Sequence, residues 1–119
     1  MDSDATIKAL AALAQETRLA VFRLLVERGP AGLTPGVIAE RLGLAPATLS
    51  FHLKELANAG LIRSRQESRF IHYSADFETM NGLVGYLTEN CCRGRPDECL
   101  PANIGKATRL SVRRRGAVT

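Results

Sequence analysis

Long hydrophobic runs are absent from this 119-residue sequence. Charged residues interrupt the apolar segments every few positions, as in LAQETRLAVFRLLVERG, and the opening MDSDATIKAL is acidic. A secretory signal or a membrane-spanning helix needs an unbroken apolar stretch, so we expect neither and place the protein in the cytoplasm without a membrane partner. Hydrophobic residues still make up 45% of the chain, which is enough for one compact core.

Cysteine is missing from the first 90 residues, and all three cysteines of the chain lie in the segment NCCRGRPDEC. An odd number of cysteines argues against a disulfide framework, and thiols stay reduced in a cytoplasm. The function of this protein must explain why three thiols occur in one place, at Cys91, Cys92 and Cys99.

Acidic residues are missing after Cys99, where the chain carries five basic residues. Because the net charge of the whole chain is only +4, the part that ends at Cys99 has a net charge of −1. The basic excess therefore belongs to the tail, which we expect to be disordered, and charge alone does not establish DNA binding. The five residues are Lys106, Arg109, Arg113, Arg114 and Arg115.

Catalytic motifs are also missing. No glycine-rich phosphate loop precedes a helix, and no Ser/His/Asp arrangement is discernible. A small arsenate reductase of the phosphatase-like type would need an arginine after five residues that follow a cysteine. The three cysteines here have Asp97, Glu98 and Gly105 at that position. We therefore do not expect an enzyme, and a cysteine-based reductase is the least favoured alternative.

Apolar residues at helical spacing predict four helices in the first 60 residues. Glycines mark the ends of three helices, and Thr34 is a predicted N-cap that precedes a proline at the first helical position. The helices cover Ile7 to Ala14, the segment before Gly29, Thr34 to Gly43, and Pro46 to Gly60. The residues predicted to share an apolar helix face are Ile7, Leu10, Ala11 and Ala14 in the first helix and Leu19, Phe22 and Val26 in the second, and those predicted to face inward in the fourth are Leu49, Leu53, Leu56 and Ala57.

The pattern then changes to alternation. LIRSRQ and RFIHYSA alternate apolar and polar residues around QESR, which predicts a β-hairpin. A last helix is predicted over DFETMNGLVGYLTENCCRG, with Asp76 as N-cap, Leu83 and Leu87 on one face, and Gly94 at its end. This prediction places Cys91 and Cys92 in the last turn of that helix.

Two helices joined at RLGLAPATL and followed by a hairpin predict a helix-turn-helix with a wing. In that geometry the second helix enters the major groove and presents its N-terminal side chains to the bases, while wing arginines contact phosphates or the minor groove. An ordinary small helical domain with a solvated hairpin is the bland alternative. The predicted DNA-contacting residues are Ala47, Thr48, Ser50, Phe51, His52, Lys54, Arg63, Arg65 and Arg69.

The segments ETRLAVFRLLVERG, VIAERLGLAPATLSFHLKELANAGLI and RSRQESRFIHYSA resemble the ArsR/SmtB family of metal-sensing winged-helix repressors. The resemblance covers nearly all of residues 7–89, and Ser50, His52 and Leu53 are its most specific part. It implies a homodimer, paired through the first and last helices, that binds an operator palindrome and releases it when metal arrives. Phe51 replaces a frequent glutamine, and Ser68 replaces the glycine common at the wing tip.

Family members carry their metal ligands in different places, and two of these places are empty here. TPGVIAERL contains no cysteine, and DFETMNGLVGYLTEN contains no histidine. The remaining candidates, Cys91, Cys92 and Cys99, are three soft ligands, which suit trivalent arsenic or antimony. The pattern also resembles arsenite sensors in which paired cysteines close the last helix.

Other functions of the cysteines stay open at this point. A zinc, cadmium or lead site could be completed by Asp97, Glu98 or water, the cysteines could form a redox switch, or they could be incidental. The predicted fold is mainly α with a small β-hairpin, a homodimeric winged helix-turn-helix. We predict three segments: residues 1–90 for DNA binding and dimerisation, 91–100 for the metalloid, and 101–119 as the tail. The predicted function is an arsenite-responsive repressor.

Overall fold

The computed structural model of the protein describes residues 1–94. Cys99 and the tail lie outside the described residues, so the three predicted segment boundaries stay predictions. By internal packing, residues 1–86 form one unit, and a second unit begins at Leu87. Within residues 1–94, no helix is long and apolar enough to cross a membrane.

In residues 1–94, five α-helices and a two-stranded antiparallel hairpin make up the fold, which confirms the predicted class. Ile62 pairs with Ala75 at the base of the hairpin, and Glu67 pairs with Phe70 at its tip. In chain order the elements are α1 (Ser3–Leu13), α2 (Glu16–Arg28), α3 (Pro35–Leu42), α4 (Pro46–Asn58), β1 (Ile62–Glu67), β2 (Phe70–Ala75) and α5 (Phe77–Thr88), then a 3-10 turn, Cys91–Gly94.

The predicted capping residues set the helix ends. The N–H of Val37 donates to Thr34 Oγ1 at the start of α3, and the N–H of Thr79 donates to Asp76 Oδ1 at 3.0 Å at the start of α5. Gly43 ends α3 in the left-handed conformation, with φ 66°. These local interactions satisfy backbone groups that a helix terminus leaves without an intrahelical partner.

The core lies between α2, α3, α4 and the start of β1. Its six largest fully buried side chains are aliphatic, and each one stabilises the fold by roughly 1.5–3 kcal/mol relative to an exposed position. Because α3 and α4 both contribute to this core, the helix-turn-helix is held rigidly against α2. These side chains are Val21, Leu25, Ile38, Leu49, Leu56 and Leu61.

The hairpin is tied to the loop between α2 and α3. Leu33 and Tyr73 exchange two backbone hydrogen bonds, with N···O distances of 2.9 and 2.8 Å. Gly32 lies beside this pair with φ +73°, and a Cβ at that position would come within 2.5 Å of the Tyr73 carbonyl oxygen. Only glycine therefore lets the two backbones approach this closely.

Several residues of the predicted apolar helix faces are exposed, and the prediction that Ala57 faces inward was wrong. In α1 the small side chains Ala9 and Ala12 are buried together with Thr6, because they let the helix pack closely against the body. The bulkier apolar side chains of α1 point outward, and Ile7 is 61% exposed. The exposed residues of these predicted faces are Ile7, Leu10, Ala11, Ala14, Leu19, Ala57 and Leu87.

The last helix is shorter than predicted. It ends at Thr88, so Cys91 and Cys92 do not lie in its last turn but in the separate 3-10 turn. Asn90 has φ 58°, and Cys92 and Arg93 have φ 52° and 58°. Left-handed residues cannot continue a right-handed α-helix, so the break at Asn90 corrects the prediction.

Candidate nucleic-acid interface and cysteine cluster

The outer face of α4 carries most of the residues that were predicted to read DNA. The inner face of this helix is buried in the core through Leu49, Leu53 and Leu56. Phe51 is 56% exposed although it is a large apolar residue. Helical spacing brings these outer side chains together, so one surface of α4 offers hydroxyl, methyl, aromatic and ammonium groups. The exposed residues are Ala47, Thr48, Ser50, Phe51 and Lys54.

His52 does not belong to this face, which corrects its predicted contact with DNA. Its side chain is buried, with only 8% of the residue exposed. Its Nδ1 atom lies 3.4 Å from an Nη1 donor of Arg18 in α2. The structure gives His52 an internal partner, and we no longer assign it a contact with the operator.

The wing places the three predicted arginines on its surface. Arg63 and Arg65 are exposed and two residues apart on β1, and Arg69 lies in the two-residue turn at the tip. Arg65 is partly engaged, since its Nη2 donates to the Ala31 carbonyl at 3.2 Å and its Nε lies 3.8 Å from Glu67. Exposed ion pairs of this kind contribute little stability, so Arg65 can exchange Glu67 for a phosphate.

Two apolar residues at the wing tip were missed by the sequence reasoning. Phe70 follows Arg69 and is 57% exposed, and Ile71 is exposed as well. The sequence could have predicted their exposure, because bulky apolar residues beside an arginine at a hairpin tip are too far from the core to be buried in it. Apolar side chains at such a position suit partial insertion between bases in a minor groove.

The cysteine cluster is only partly described. The Sγ atoms of Cys91 and Cys92 are 4.0 Å apart, and both residues are half-buried. Cys91 is disulfide-bonded, whereas Cys92 is a free thiol. A bonded cysteine departs from the expectation that an odd number of cysteines stays reduced. Residues 1–94 hold no group of three potential metal ligands, and the third predicted ligand, Cys99, lies outside them.

The arrangement of α3, turn, α4 and wing is that of winged helix-turn-helix DNA-binding regulators. The helix-turn-helix domain family HTH_20 matches residues 13–65. In Bacillus subtilis (strain 168), the "Uncharacterized HTH-type transcriptional regulator YceK" is 36% identical over 77 residues, which cover 64% of this chain and 76% of that protein. The "Arsenical resistance operon repressor" of the same organism is 32% identical over 92 residues, covering 74% and 84%.

Among solved structures, the homodimeric winged helix-turn-helix domain Mb0332 from Mycobacterium bovis is 27% identical with a TM-score of 0.58, and 73% of this chain and 81% of that chain are covered. The chain belongs to the ArsR/SmtB family of winged-helix regulators. It is a DNA-binding transcriptional regulator and not an enzyme, since its fold and its relatives are those of regulators. The predicted family, fold class and non-enzymatic role are confirmed.

Proposed function

We propose that this protein is an operator-binding homodimeric repressor of the cytoplasm that releases DNA when trivalent arsenic binds its cysteines. The observation that carries the proposal is the 4.0 Å separation of the Cys91 and Cys92 Sγ atoms, shortly after the end of α5. Once the disulfide of Cys91 is reduced, two adjacent thiolates at this separation could bind one soft atom without a large rearrangement. Cys99 would supply the third sulfur.

Trivalent arsenic suits this ligand set better than zinc does. It forms three bonds and keeps a lone pair, so three thiolates satisfy it, and antimony is chemically alike. Zinc, cadmium or lead would need a fourth ligand from Asp97, Glu98 or water. A relative that is 32% identical is an arsenical resistance operon repressor, and this similarity supports arsenic among the soft ligands.

DNA recognition would use the outer face of α4 and the wing. Two copies would place their α4 helices about 34 Å apart, one turn of duplex, on a palindromic operator. Arg63 and Arg69 are exposed on the wing, where they suit phosphate contacts that fix the register of each subunit.

The homodimer would form through the outward apolar faces of α1 and α5. Ile7 and Leu10 are exposed on α1, and Val84 is exposed on α5. The residues that precede α1 lie beside α5, since a Cβ added at Gly82 of α5 would lie 3.7 Å from the Met1 side chain. A related solved domain is homodimeric, which supports a homodimer for this protein.

Ligand and DNA would then antagonise each other with one shared coupling free energy. The typical range of about 1–3 kcal/mol corresponds to roughly 5–150-fold weaker operator binding in the presence of arsenite. Because metal binding displaces thiol protons, the responsive form is the reduced protein.

Thiol oxidation is the second candidate signal, and the disulfide bond of Cys91 is the observation that favours it. A disulfide removes two thiols from any metalloid site, so an oxidised protein would respond to oxidants and not to arsenite. Both signals use the same cysteines, and only a binding experiment with the reduced protein separates them.

The test is fluorescence anisotropy on promoter DNA with the reduced full-length protein. We expect arsenite to release the DNA at least fivefold more readily than zinc, cadmium or peroxide does. The variant with Cys91→Ser and Cys92→Ser should bind DNA like the wild type but keep it in arsenite, because serine hydroxyls are poor ligands for arsenic. The control Ser50→Ala, in α4, should bind DNA more weakly and still respond.

Four outcomes would contradict the proposal. Release of the doubly substituted variant by arsenite would show that the site lies elsewhere. Release of the wild type by peroxide alone would favour the redox function, and release by zinc alone would favour a tetrahedral metal site. Failure to bind any promoter DNA would contradict the operator-binding role itself.

A further inference from the structure

We propose that Arg18 and His52 position Phe51 for recognition of a thymine, so that the base-reading face of α4 is held in place from α1. The inference rests on the proposed contact between α4 and the operator, and names a residue of α2 that would control it. Three consecutive contacts carry it: from the end of α1 to Arg18, from Arg18 to His52, and from His52 to Phe51.

In the first contact, two hydrogen bonds hold Arg18 in place. Its Nε donates to the carbonyl oxygen of Ala12 at 2.7 Å, in the last turn of α1. Its backbone N–H donates to Gln15 Oε1 at 2.8 Å, where Gln15 is the N-cap of α2. The Ala12 carbonyl belongs to the group of terminal carbonyls that a helix leaves without an intrahelical donor. Arg18 therefore joins α1 to α2 with a geometrically restricted guanidinium group.

The second contact reaches the recognition helix. Arg18 Nη1 lies 3.4 Å from His52 Nδ1. A guanidinium can only donate, so the geometry makes Nδ1 the acceptor and places the proton of the neutral imidazole on Nε2. His52 is buried on the same face of α4 as Leu49 and Leu56, so its ring cannot move away without disturbing the core.

The third contact ends at the exposed reading face. The rings of Phe51 and His52 are 5.4 Å apart and meet edge to face, at an interplanar angle of 64°. Edge-to-face packing at this distance is favourable for aromatic rings. An exposed phenylalanine on a helix would otherwise sample several rotamers, and the fixed imidazole beside it favours one of them.

The consequence is specific to one kind of base contact. A held phenyl ring can meet the C5-methyl group of a thymine in the major groove, and that contact distinguishes thymine from uracil. A ring that is free to rotate would lose this discrimination, while the phosphate contacts of the wing and the rest of α4 would persist. Arg18 would thus affect specificity although it reads no base itself.

The experiment measures operator binding with each thymine of the promoter half-site replaced in turn by uracil. For the wild type we expect one position at which uracil weakens binding about threefold to fourfold, the effect of one buried methyl group. Phe51→Ala should remove this effect. Arg18→Met and His52→Leu should reduce it to less than twofold, because the first removes the donor to the imidazole and the second removes the ring itself.

Two conservative variants separate positioning from a general role in folding. His52→Asn keeps an acceptor near the position of Nδ1 but removes the ring that packs against Phe51, so it should fold like the wild type and lose the uracil effect. Arg18→Lys keeps the charge but replaces the two separate donor atoms, Nε and Nη1, with one nitrogen, so it should lose the effect even if Arg18→Met fails to fold. The salt dependence of binding should be the same in every folded variant, because Arg18 and His52 contact no phosphate.

The outcomes distinguish this inference from the function on which it rests. If Phe51→Ala removes the uracil effect while folded Arg18→Met and Arg18→Lys retain it in full, the thymine contact stands and the positioning role is wrong. If Phe51→Ala retains the effect, the thymine contact itself is wrong, and the positioning role fails with it. Protonation of His52 on Nδ1 instead of Nε2, seen in its nitrogen chemical shifts, would also overturn the inference.

Discussion

Gly32 is the residue at which the wing depends most directly on a missing side chain. It has φ +73°, and an added Cβ would lie 2.5 Å from the Tyr73 carbonyl oxygen and 3.1 Å from its carbonyl carbon. The neighbouring Leu33 makes the two hydrogen bonds that join this loop to β2. Any larger residue at position 32 must therefore displace backbone and not merely a flexible side chain.

We expect Gly32→Ala to lower the free energy of unfolding by about 2–4 kcal/mol. Left-handed backbone costs an alanine roughly 1–2 kcal/mol, and each lost hydrogen bond adds about 1 kcal/mol. Urea unfolding measures the change. The matched control is Gly36→Ala in α3, where the added Cβ meets nothing within 4 Å. That change should be neutral or stabilising by up to about 1 kcal/mol, and equal effects at the two positions would refute the close-approach argument.

His52 shows which part of a residue's role the sequence could have revealed. Leu49, His52, Leu53 and Leu56 follow the spacing of one helix face, so the inward direction of the imidazole was readable from the pattern. Its partner was not readable, because Arg18 lies 34 residues earlier in the chain. Periodicity fixes the direction of a side chain, whereas a long-range contact depends on how helices pack.

At the scale of elements, the ends of helices were predictable wherever a local side chain makes them. Thr34, Gly43 and Asp76 act where their positions in the sequence indicated. The end of α5 was missed, because it depends on left-handed backbone at Asn90. Asparagine tolerates this conformation, but its presence in a sequence does not predict it. The orientation of α1 was also missed, because both of its faces carry apolar residues and only the packing of α2 and α4 decides between them.

The tip of the hairpin carries strain that one substitution should relieve. Ser68, the first residue of the two-residue turn, has φ 60°. We expect Ser68→Gly to raise the free energy of unfolding by about 1 kcal/mol, since a glycine adopts this conformation without the steric cost of a Cβ. Thermal unfolding measures the change.

The control for the turn is Ser64→Gly, in the middle of β1 and paired with Tyr73. Its backbone is ordinary strand, so glycine should lower stability by about 0.5–1 kcal/mol. If both substitutions destabilise the protein alike, the turn is not strained. Because Ser68 lies between the exposed tip residues, the stabilised variant should keep its affinity for promoter DNA.

At the scale of the whole molecule, residues 1–94 carry a basic surface on the wing and an apolar surface on α1 and α5. Arginines are exposed on the wing, whereas exposed aliphatic residues occur on α1 and α5. The sequence indicated the basic surface through local spacing. It predicted an apolar face on α1, but a periodic apolar stripe does not tell whether the protein's own core or a second copy covers it.

A charge on the outward face of α1 tests whether a second copy covers it. We expect Ile7→Glu to convert the dimer to a monomer, because a carboxylate at a position that is 61% exposed in the single chain would be buried without a partner in the dimer. Analytical ultracentrifugation measures the mass, and anisotropy should show at least 100-fold weaker operator binding, since a monomer loses the advantage of two linked half-site contacts.

Val84→Glu on α5 should act alike, whereas Leu19→Glu, an exposed apolar position on α2, should leave the dimer intact. A dimer that survives both changes on α1 and α5 but dissociates with Leu19→Glu would place the interface on α2, and the surface assigned to dimerisation would be wrong.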